Sequence, residues 1–349
     1  MVGQQYIRLL ENHPWFRVVY VAASPQSVGM QYSNALKNGW IVGGEIPKGI
    51  SKLIMHDVAD TKSAAEACTF VFSAFEMSDK NLMREYENKY AAAGLPVFSN
   101  TSVHRENPLV PMIIGEINPH HLKIISQQKK QNGWNGFVVV KPNCSLQSYL
   151  TPIYALQRAG FPVVKIILTT MQAVSGAGYP GVASLDMIDN IVPFIFGEEV
   201  KTESEPLKIL GDIKAGRLVP HKGMKISAHC NRVPVSHGHL ACVSIEFGRK
   251  KPTKEKIIEI WRKFRGEPQV LNLPLAPKEP IVYRDEPDRP QPSKDRDNDK
   301  AMAVTVGRLR EDNVFDFKFV ALSHNTVRGA AGGGILNAEL AYKKGYLKV

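Results

Sequence analysis

The sequence is poor in cysteine: Cys68, Cys144, Cys230 and Cys242 are the only four among 349 residues. Their spacings form no metal-binding pairs, and a disulfide-stapled scaffold would need many more thiols. That scarcity suits a reducing compartment, and a cytoplasmic location is expected. No stretch approaches the roughly 20 apolar residues that cross a bilayer, so no membrane span is expected. The first residues do not read as a signal peptide. The sequons at Asn100 and Asn143 are accordingly read as chance matches. There is no internal repeat, no basic tail and no zinc-finger spacing. The net charge of +11, from 44 Lys and Arg against 33 Asp and Glu, is therefore dispersed. Such a charge suits anionic small substrates and phosphorylated cofactors, and no nucleic-acid partner is expected.

What the chain does have is alternation. Helical spacing in 6–10 precedes apolar runs at 17–23, 70–74, 96–99, 111–115 and 136–140, which read as strands. A helix is expected at 81–93. Strands alternating with helices predict an α/β fold with a mostly parallel sheet covered on both faces. From Cys144 the texture changes. A helix is expected at 145–156, interrupted or restarted near Pro152, and an amphipathic one at 254–264. Strand candidates at 162–170, 225–230, 239–247, 303–308 and 314–322 predict a separate α+β domain with more antiparallel pairing. The polar stretch 285–300 is either a surface linker or a long ordered excursion. Glycines at 329–334 permit close backbone approach before a closing helix at 335–344.

One thiol stands apart. Lys141, Pro142 and Asn143 end an apolar run, and Cys144 follows at the expected start of a helix. Unpaired backbone N–H groups there favour a thiolate and can face an oxyanion. The alternative is a small buried core thiol. Asn143 is either a turn residue or a further donor to that oxyanion. Farther along lie Arg232, a possible cation, and His239, a possible general acid and base that titrates near neutrality. His237 and His239 share one side of an extended strand, but no third ligand has credible spacing, so no metal site is expected. If Cys144, Arg232 and His239 meet in space, the chain forms a thioester.

These motifs together resemble aspartate-β-semialdehyde dehydrogenase, in its archaeal and fungal branch. The likeness is carried by His13-Pro-Trp-Phe16, Phe98-Ser-Asn-Thr-Ser102, Lys141-Pro-Asn-Cys144 and Ser175-Gly-Ala-Gly-Tyr-Pro180. The stretch from Arg232 to His239 and the tail from His324 to Gly334 complete it, so that it covers nearly the whole chain. The resemblance implies a Rossmann-like doubly wound cofactor domain over 1–143, joined by the C-terminal helix 326–349, and an α+β catalytic and dimerisation domain over 144–325. It implies reversible, NADP-dependent conversion of aspartyl phosphate to aspartate semialdehyde and inorganic phosphate through a cysteine thioester. That reaction belongs to the biosynthesis of lysine, threonine and methionine. Cys144 would be the nucleophile and His239 the acid/base. Arg232 would grip the substrate carboxylate, Asn143 would be the active-site asparagine beside the nucleophile, and Gln172 would help orient substrate and intermediate. Glu198 would meet the substrate amino group, with Lys201 and Arg105 on the phosphate. Gly3, Ser24, Ser27, Ser73, Ser175, Gly176, Asn325 and Gly329 would lie on the NADP side. A homodimer or homotetramer is implied.

Two departures stand at the front. Only Gly3 survives of the Gly-x-x-Gly-x-x-Gly turn of relatives, and Met30 stands where a lysine is expected. The expectation is a chain lacking the first strand and most of the glycine-rich loop, with a weakened pyrophosphate platform. The rivals are a malonyl-CoA reductase and a cofactor-poor scaffold. The motifs around Cys144 do not fit glyceraldehyde-phosphate dehydrogenase.

Overall fold

Four of the short apolar segments in the first 140 residues become parallel strands, and helices pack most closely on those at Pro96–Ser99 and Phe137–Val140. The computed structural model describes residues 1–36 and 39–348. It opens with the Val2–Leu10 helix, whose Tyr6, Ile7 and Leu10 face inward at helical spacing. β1 (Val21–Ala23) pairs in parallel with β2 (Met55–Asp57). A second parallel sheet runs β3 (Val71–Ser73), β4 (Pro96–Ser99), β5 (Phe137–Val140). The two pieces share no ladder among the described residues. All four residues of β5 are buried, whereas Ala22 of β1 is exposed and Val71 and Phe72 are half-buried.

The second half is built on β6 (Val163–Ala173), followed by a small hairpin of β7 (Asp212–Lys214) and β8 (Arg217–Val219). Then come β9 (Lys225–Val233), β10 (His239–Phe247), β11 (Ile281–Arg284), β12 (Val304–Glu311) and β13 (Phe317–Ser323). Six of them form one mixed sheet in the order β11-β12-β13-β10-β6-β9. Its β12/β13, β13/β10 and β10/β6 pairs are antiparallel, as expected for this half, while β11/β12 and β6/β9 are parallel. The alternate residues Ile166, Leu168 and Thr170 of β6 are buried on one face, in step with the two-residue period of a strand. That face packs against the Leu146–Arg158 and Lys254–Lys263 helices. The first runs unbroken through Pro152, contrary to the expected interruption. Trp261, fully buried, donates its indole N–H to the Pro152 carbonyl at 2.9 Å.

Other expectations change too. The segment 111–115 is not a strand. Asn118 turns it by accepting from the Ile114 N–H and donating to the Met112 carbonyl, which leaves one bridge between Met112 and Val140. The stretch 285–300 is an ordered excursion rather than a linker. The buried Asp295 draws in Arg284 and Arg289 and accepts from the Gln291 N–H. The glycine-rich tail does not stay open before a helix. It forms a π-helical turn over Val327–Ala331 and enters the Gly332–Lys343 helix directly. Among the described residues no helix is long and apolar enough to cross a membrane.

Candidate active site

The register of two parallel strands creates the site. β6 and β9 align so that Gln172 lies beside Arg232 and Ala173 beside Val233. β10 starts at His239 and runs antiparallel to β6, with Leu240 opposite Met171. One end of three neighbouring strands therefore gathers Gln172, Arg232 and His239. Cys144 arrives from the other half, in the turn between β5 and the Leu146–Arg158 helix.

Cys144 Sγ lies 3.3 Å from His239 Nε2. The opposite ring nitrogen, Nδ1, accepts the Ala173 backbone N–H at 3.0 Å. The carbonyl of the same residue accepts Arg232 Nη1 at 2.8 Å. One residue of main chain thus holds both the imidazole and the guanidinium. Two glycines make room for them. A Cβ on Gly176 would fall 2.7 Å from Arg232 Nη1 and 3.1 Å from His239 Cε1, and one on Gly329 would fall 2.9 Å from Cys144 Cβ. No side chain larger than hydrogen fits either place without displacing a site residue.

Two carboxylates organise the polar side. Glu198 opens the Glu198–Ile209 helix and accepts from Asn143 Nδ2 through both oxygens at 2.9 and 2.8 Å. It also accepts from Gln172 Nε2 at 3.2 Å and Lys201 Nζ at 3.1 Å. Glu205, two turns on along the same helix, receives the Asn143 backbone N–H at 2.6 Å and Arg105 Nη1 at 3.0 Å. Asn143 Oδ1 takes the Ser145 N–H at 2.8 Å and so fixes the turn that carries Cys144. Asn143 is therefore a turn-holding residue with its amide committed to Glu198, not a free oxyanion donor. Glu205 was missed from the sequence. Its signal was helical spacing: Glu198, Thr202, Glu205 and Ile209 recur at intervals of four, three and four and share the buried face.

The helix that starts just after Cys144 favours a thiolate and a lowered thiol pKa. The structure reverses that direction for the resting site. Burial pushes the Cys144 thiol up to about 11, and the Glu198 carboxylate adds to the rise against the opposing pull of Lys141, Arg105 and Arg232. His239 is driven well below its usual value by burial and by neighbouring cations, Arg232 first, so the imidazole is neutral. Lys141, only 2% exposed, was given no role in the sequence reading. Burial brings its ammonium down to about 7.

Two family profiles match this chain. "Semialdehyde dehydrogenase, NAD binding domain" covers residues 1–125, and "Semialdehyde dehydrogenase, dimerisation domain" covers residues 150–328. The aspartate-semialdehyde dehydrogenase of Schizosaccharomyces pombe is 43% identical over 353 residues, spanning 99% of this chain and 96% of that protein. The chain belongs to the aspartate-semialdehyde dehydrogenase family. The crystal structure of the Candida albicans aspartate-semialdehyde dehydrogenase with NADP superposes with a TM-score of 0.89 at 38% identity, covering 98% of this chain and 96% of that one. A malonyl-CoA reductase (NADP) of Metallosphaera sedula is 38% identical over 356 residues, covering 99% of this chain and 95% of that protein. The fold is accordingly a Rossmann NAD(P)-binding domain with an α+β catalytic and dimerisation domain.

In this family member the remaining expected positions divide into three groups. Ser175 and Asn325 join the site. Asn325 Nδ2 donates to Ser175 Oγ at 2.8 Å, and its Oδ1 accepts the Gly238 N–H at 2.9 Å. Ser24 precedes and Ser27 ends the short turn after β1, and Gly3 lies in the first turn of the opening helix with open space where a side chain would be. Ser73 ends β3 with its side chain buried. Its hydroxyl donates to the buried Glu87 at 2.5 Å, a carboxylate also reached by Ser99 and Thr101, so it serves an internal polar cluster. A cleft of about 470 Å³ opens beside the site, lined by Gln5, Arg8, Val42, Ser175, His237 and Arg296 among others. His237 is not paired with His239. It stacks on His324 with ring centroids 5.2 Å apart, and no group of three metal-ligating side chains occurs among the described residues.

Proposed function

We propose that this chain is an aspartate-semialdehyde dehydrogenase, an NADP-dependent aldehyde dehydrogenase of the phosphorylating type. It would convert L-4-aspartyl phosphate to L-aspartate 4-semialdehyde and phosphate, reversibly, in the biosynthesis of lysine, threonine and methionine. The observation that carries the reading is the 3.3 Å contact of Cys144 Sγ with His239 Nε2, with Arg232 tied to the same strand end. Cys144 attacks the carbonyl carbon as a thiolate and holds the aspartyl group as a thioester. Arg232, held through Nη1 alone among the described residues, offers the rest of its planar fork to the substrate carboxylate. Glu198 faces the substrate amino group, with Asn143 and Gln172 fixing the carboxylate that does so. Arg105 and Lys201 receive phosphate. A buried Arg105 Nε without a partner supports an anion there.

The cleft suits NADP on an independent observation. Gln5 Oε1 and His237 Nδ1, both in its wall, are buried without hydrogen-bond partners. Ser175, Gly176, Asn325 and Gly329 would face the nicotinamide end, Gly3 the pyrophosphate, and Ser24 and Ser27 the adenosine ribose and its 2′-phosphate. The bound cofactor supplies the hydride acceptor for oxidation and the hydride donor for reduction. Self-association belongs to the same reading. Leu185, Ile188, Phe194, Phe196 and Val200 leave an apolar strip exposed in the half matched by the dimerisation profile, which supports a homodimer or homotetramer. A thiol nucleophile and four unpaired cysteines support a cytoplasmic setting.

The test is phosphate-dependent reduction of NADP by aspartate semialdehyde, with the acyl-enzyme trapped and weighed. Wild type should gain one aspartyl group and Cys144→Ala none. A normal acyl-enzyme yield in Cys144→Ala would overturn the nucleophile assignment. Turnover that needs coenzyme A and not phosphate would replace the reading by the malonyl-CoA reductase one.

A further inference from the structure

We propose that Glu205 is a positioning residue for the phosphate step: its one carboxylate sets Arg105, the phosphate cation, against the turn that carries Cys144. The inference rests on the phosphorylating reading above and adds to it a residue that acts through two others. Glu205 is buried, and each of its oxygens has a separate partner. Oε2 accepts the Asn143 backbone N–H at 2.6 Å, one residue before the nucleophile, and Oε1 accepts Arg105 Nη1 at 3.0 Å. A carboxylate is planar and rigid, and hydrogen bonds to it are short and directional. The guanidinium and the nucleophile's main chain are therefore held at a set separation. The rest of Arg105 is held as closely. Nη2 donates to the Asn100 carbonyl at 3.3 Å. Lys208 Nζ, one turn beyond Glu205, donates to the Arg105 and Asn107 carbonyls at 2.6 and 2.7 Å. That leaves Nε, buried and without a partner among the described residues. A buried guanidinium N–H lacking an acceptor costs free energy that an anion placed there recovers.

The local sequence explains why Glu205 serves as a fixed reference point. Pro206 follows it inside the Glu198–Ile209 helix and has no N–H for the Thr202 carbonyl four residues back. That carbonyl instead accepts the phenol of the fully buried Tyr149 at 3.2 Å. Tyr149 stands on the Leu146–Arg158 helix, which begins directly after the nucleophile's turn. The gap left by a proline in one helix thus pins it to the other, within one turn of Glu205. Asn143 is tied to the same helix a second time, through its side chain to Glu198. These ties bear on the second half of the reaction. A phosphate oxygen forms the new O–C bond to the thioester carbon, while the C–S bond breaks and its electron pair returns to sulfur. The phosphate proton ends on that sulfur, carried by His239, and aspartyl phosphate leaves. Phosphate enters as a separate molecule, so its line of attack is set by where the cations hold it. The hydride step before it needs no phosphate and therefore no Arg105.

The test uses the full chain and times the two halves separately. A burst of NADPH from aspartate semialdehyde and NADP without phosphate reports thioester formation. Loss of the acyl-enzyme on adding phosphate, followed by mass, reports phosphorolysis. In Glu205→Gln one acceptor oxygen remains. It keeps the Asn143 N–H, which the main chain fixes, while the new NH2 faces Arg105 donor to donor. Phosphorolysis should fall about 100-fold, the cost of misplacing a reactant by about an ångström, with the burst rate within about threefold of wild type. In an Arg105→Lys background the same substitution should cost less than about threefold more, because Glu205 acts through that arginine. An unchanged phosphorolysis rate, equal losses in burst and phosphorolysis, or full additivity with Arg105→Lys overturns the proposal. Should Glu205→Gln not fold, Glu205→Asp decides by the same split, since it keeps the charge and draws the carboxylate back by one methylene. A wild type whose acyl-enzyme does not respond to phosphate overturns the phosphorylating reading and the proposal together. Failure of the variants to behave as stated, against a phosphate-responsive wild type, overturns the Glu205 assignment alone.

Discussion

Replacing Lys141 by methionine tests the electrostatics of the site most directly. The lysine is buried with a single protein hydrogen-bond acceptor among the described residues, the Pro142 carbonyl at 3.0 Å. Gly333 leaves room for its stem, since a Cβ there would lie 3.1 Å from Lys141 Cε. Burial lowers its pKa from 10.5 to about 7, with Cys144 opposing and Arg105 reinforcing the fall. At about 1.4 kcal/mol per pH unit, that interval corresponds to a charging penalty of about 5 kcal/mol. The sign follows from proton counts. Between about 7 and 10.5 the unfolded chain keeps the proton that the folded one has released, so stability rises with pH. Below about 7 both states are protonated and the folded state bears the whole penalty. From about pH 7 to about pH 9, with the site already half-deprotonated at the start, wild type should gain about 2 kcal/mol relative to Lys141→Met. Methionine keeps the unbranched stem and adds no charge, so the variant should be the more stable protein at neutral pH. Urea unfolding at fixed pH measures both quantities. Because Lys141 also pulls the Cys144 thiol down, the pH midpoint for iodoacetamide inactivation should rise in the variant. Parallel stability curves for the two proteins would refute the argument, for they would show a lysine whose proton count does not change on folding in this range.

Arg232→Lys keeps a charge but loses the planar fork, and kcat/KM for aspartate semialdehyde should fall about 100-fold with the circular dichroism unchanged; a loss below about threefold would remove Arg232 from carboxylate binding. Glu116→Gln leaves Arg328, 1% exposed and bidentate to Glu116 at 2.8 and 2.7 Å, without its counter-charge. Urea unfolding should show a loss of about 3–5 kcal/mol. Gly176→Ala places a methyl against Arg232 and His239, so kcat should drop at least about tenfold and urea unfolding should show an overpacking cost of about 1–3 kcal/mol.

The sequence disclosed the strands that repeat a two-residue period and the residues that a motif singles out. β10 runs over the span read from its alternation, and β6 and β9 extend beyond theirs by a few residues that include Gln172, Ala173 and Arg232. The three-residue strands β2, β7 and β8 are too short to carry a period and went unread, whereas β1 and β3, equally short, lie inside longer apolar runs that were read. The segment 111–115 misled because burial on both sides looks the same for a strand and for a loop whose polar groups are met by a side chain, here Asn118. In the site, Cys144, Gln172, Arg232 and His239 were legible. The thiol's electrostatics were not. The helix start that favours a thiolate is a local feature, whereas the burial that outweighs it depends on the second half of the chain closing over Cys144.

The Ala173 peptide was illegible for a deeper reason. Its N–H orients His239 and its carbonyl holds Arg232, yet the residue type at 173 contributes neither bond. What places those two groups is the register of β6 between β9 and β10, where Gln172 faces Arg232 on one side and Met171 faces Leu240 on the other. Side chains alternate along a strand, so a slip of one residue would turn Gln172 away from Glu198 and carry the Ala173 amide away from the imidazole in the same movement. The geometry of the candidate site is therefore encoded by the buried residues that hold that register, Ile166, Leu168 and Thr170 on β6 and Ala241, Val243 and Ile245 on β10. Their packing holds His239 in place as surely as any contact it makes with the thiol.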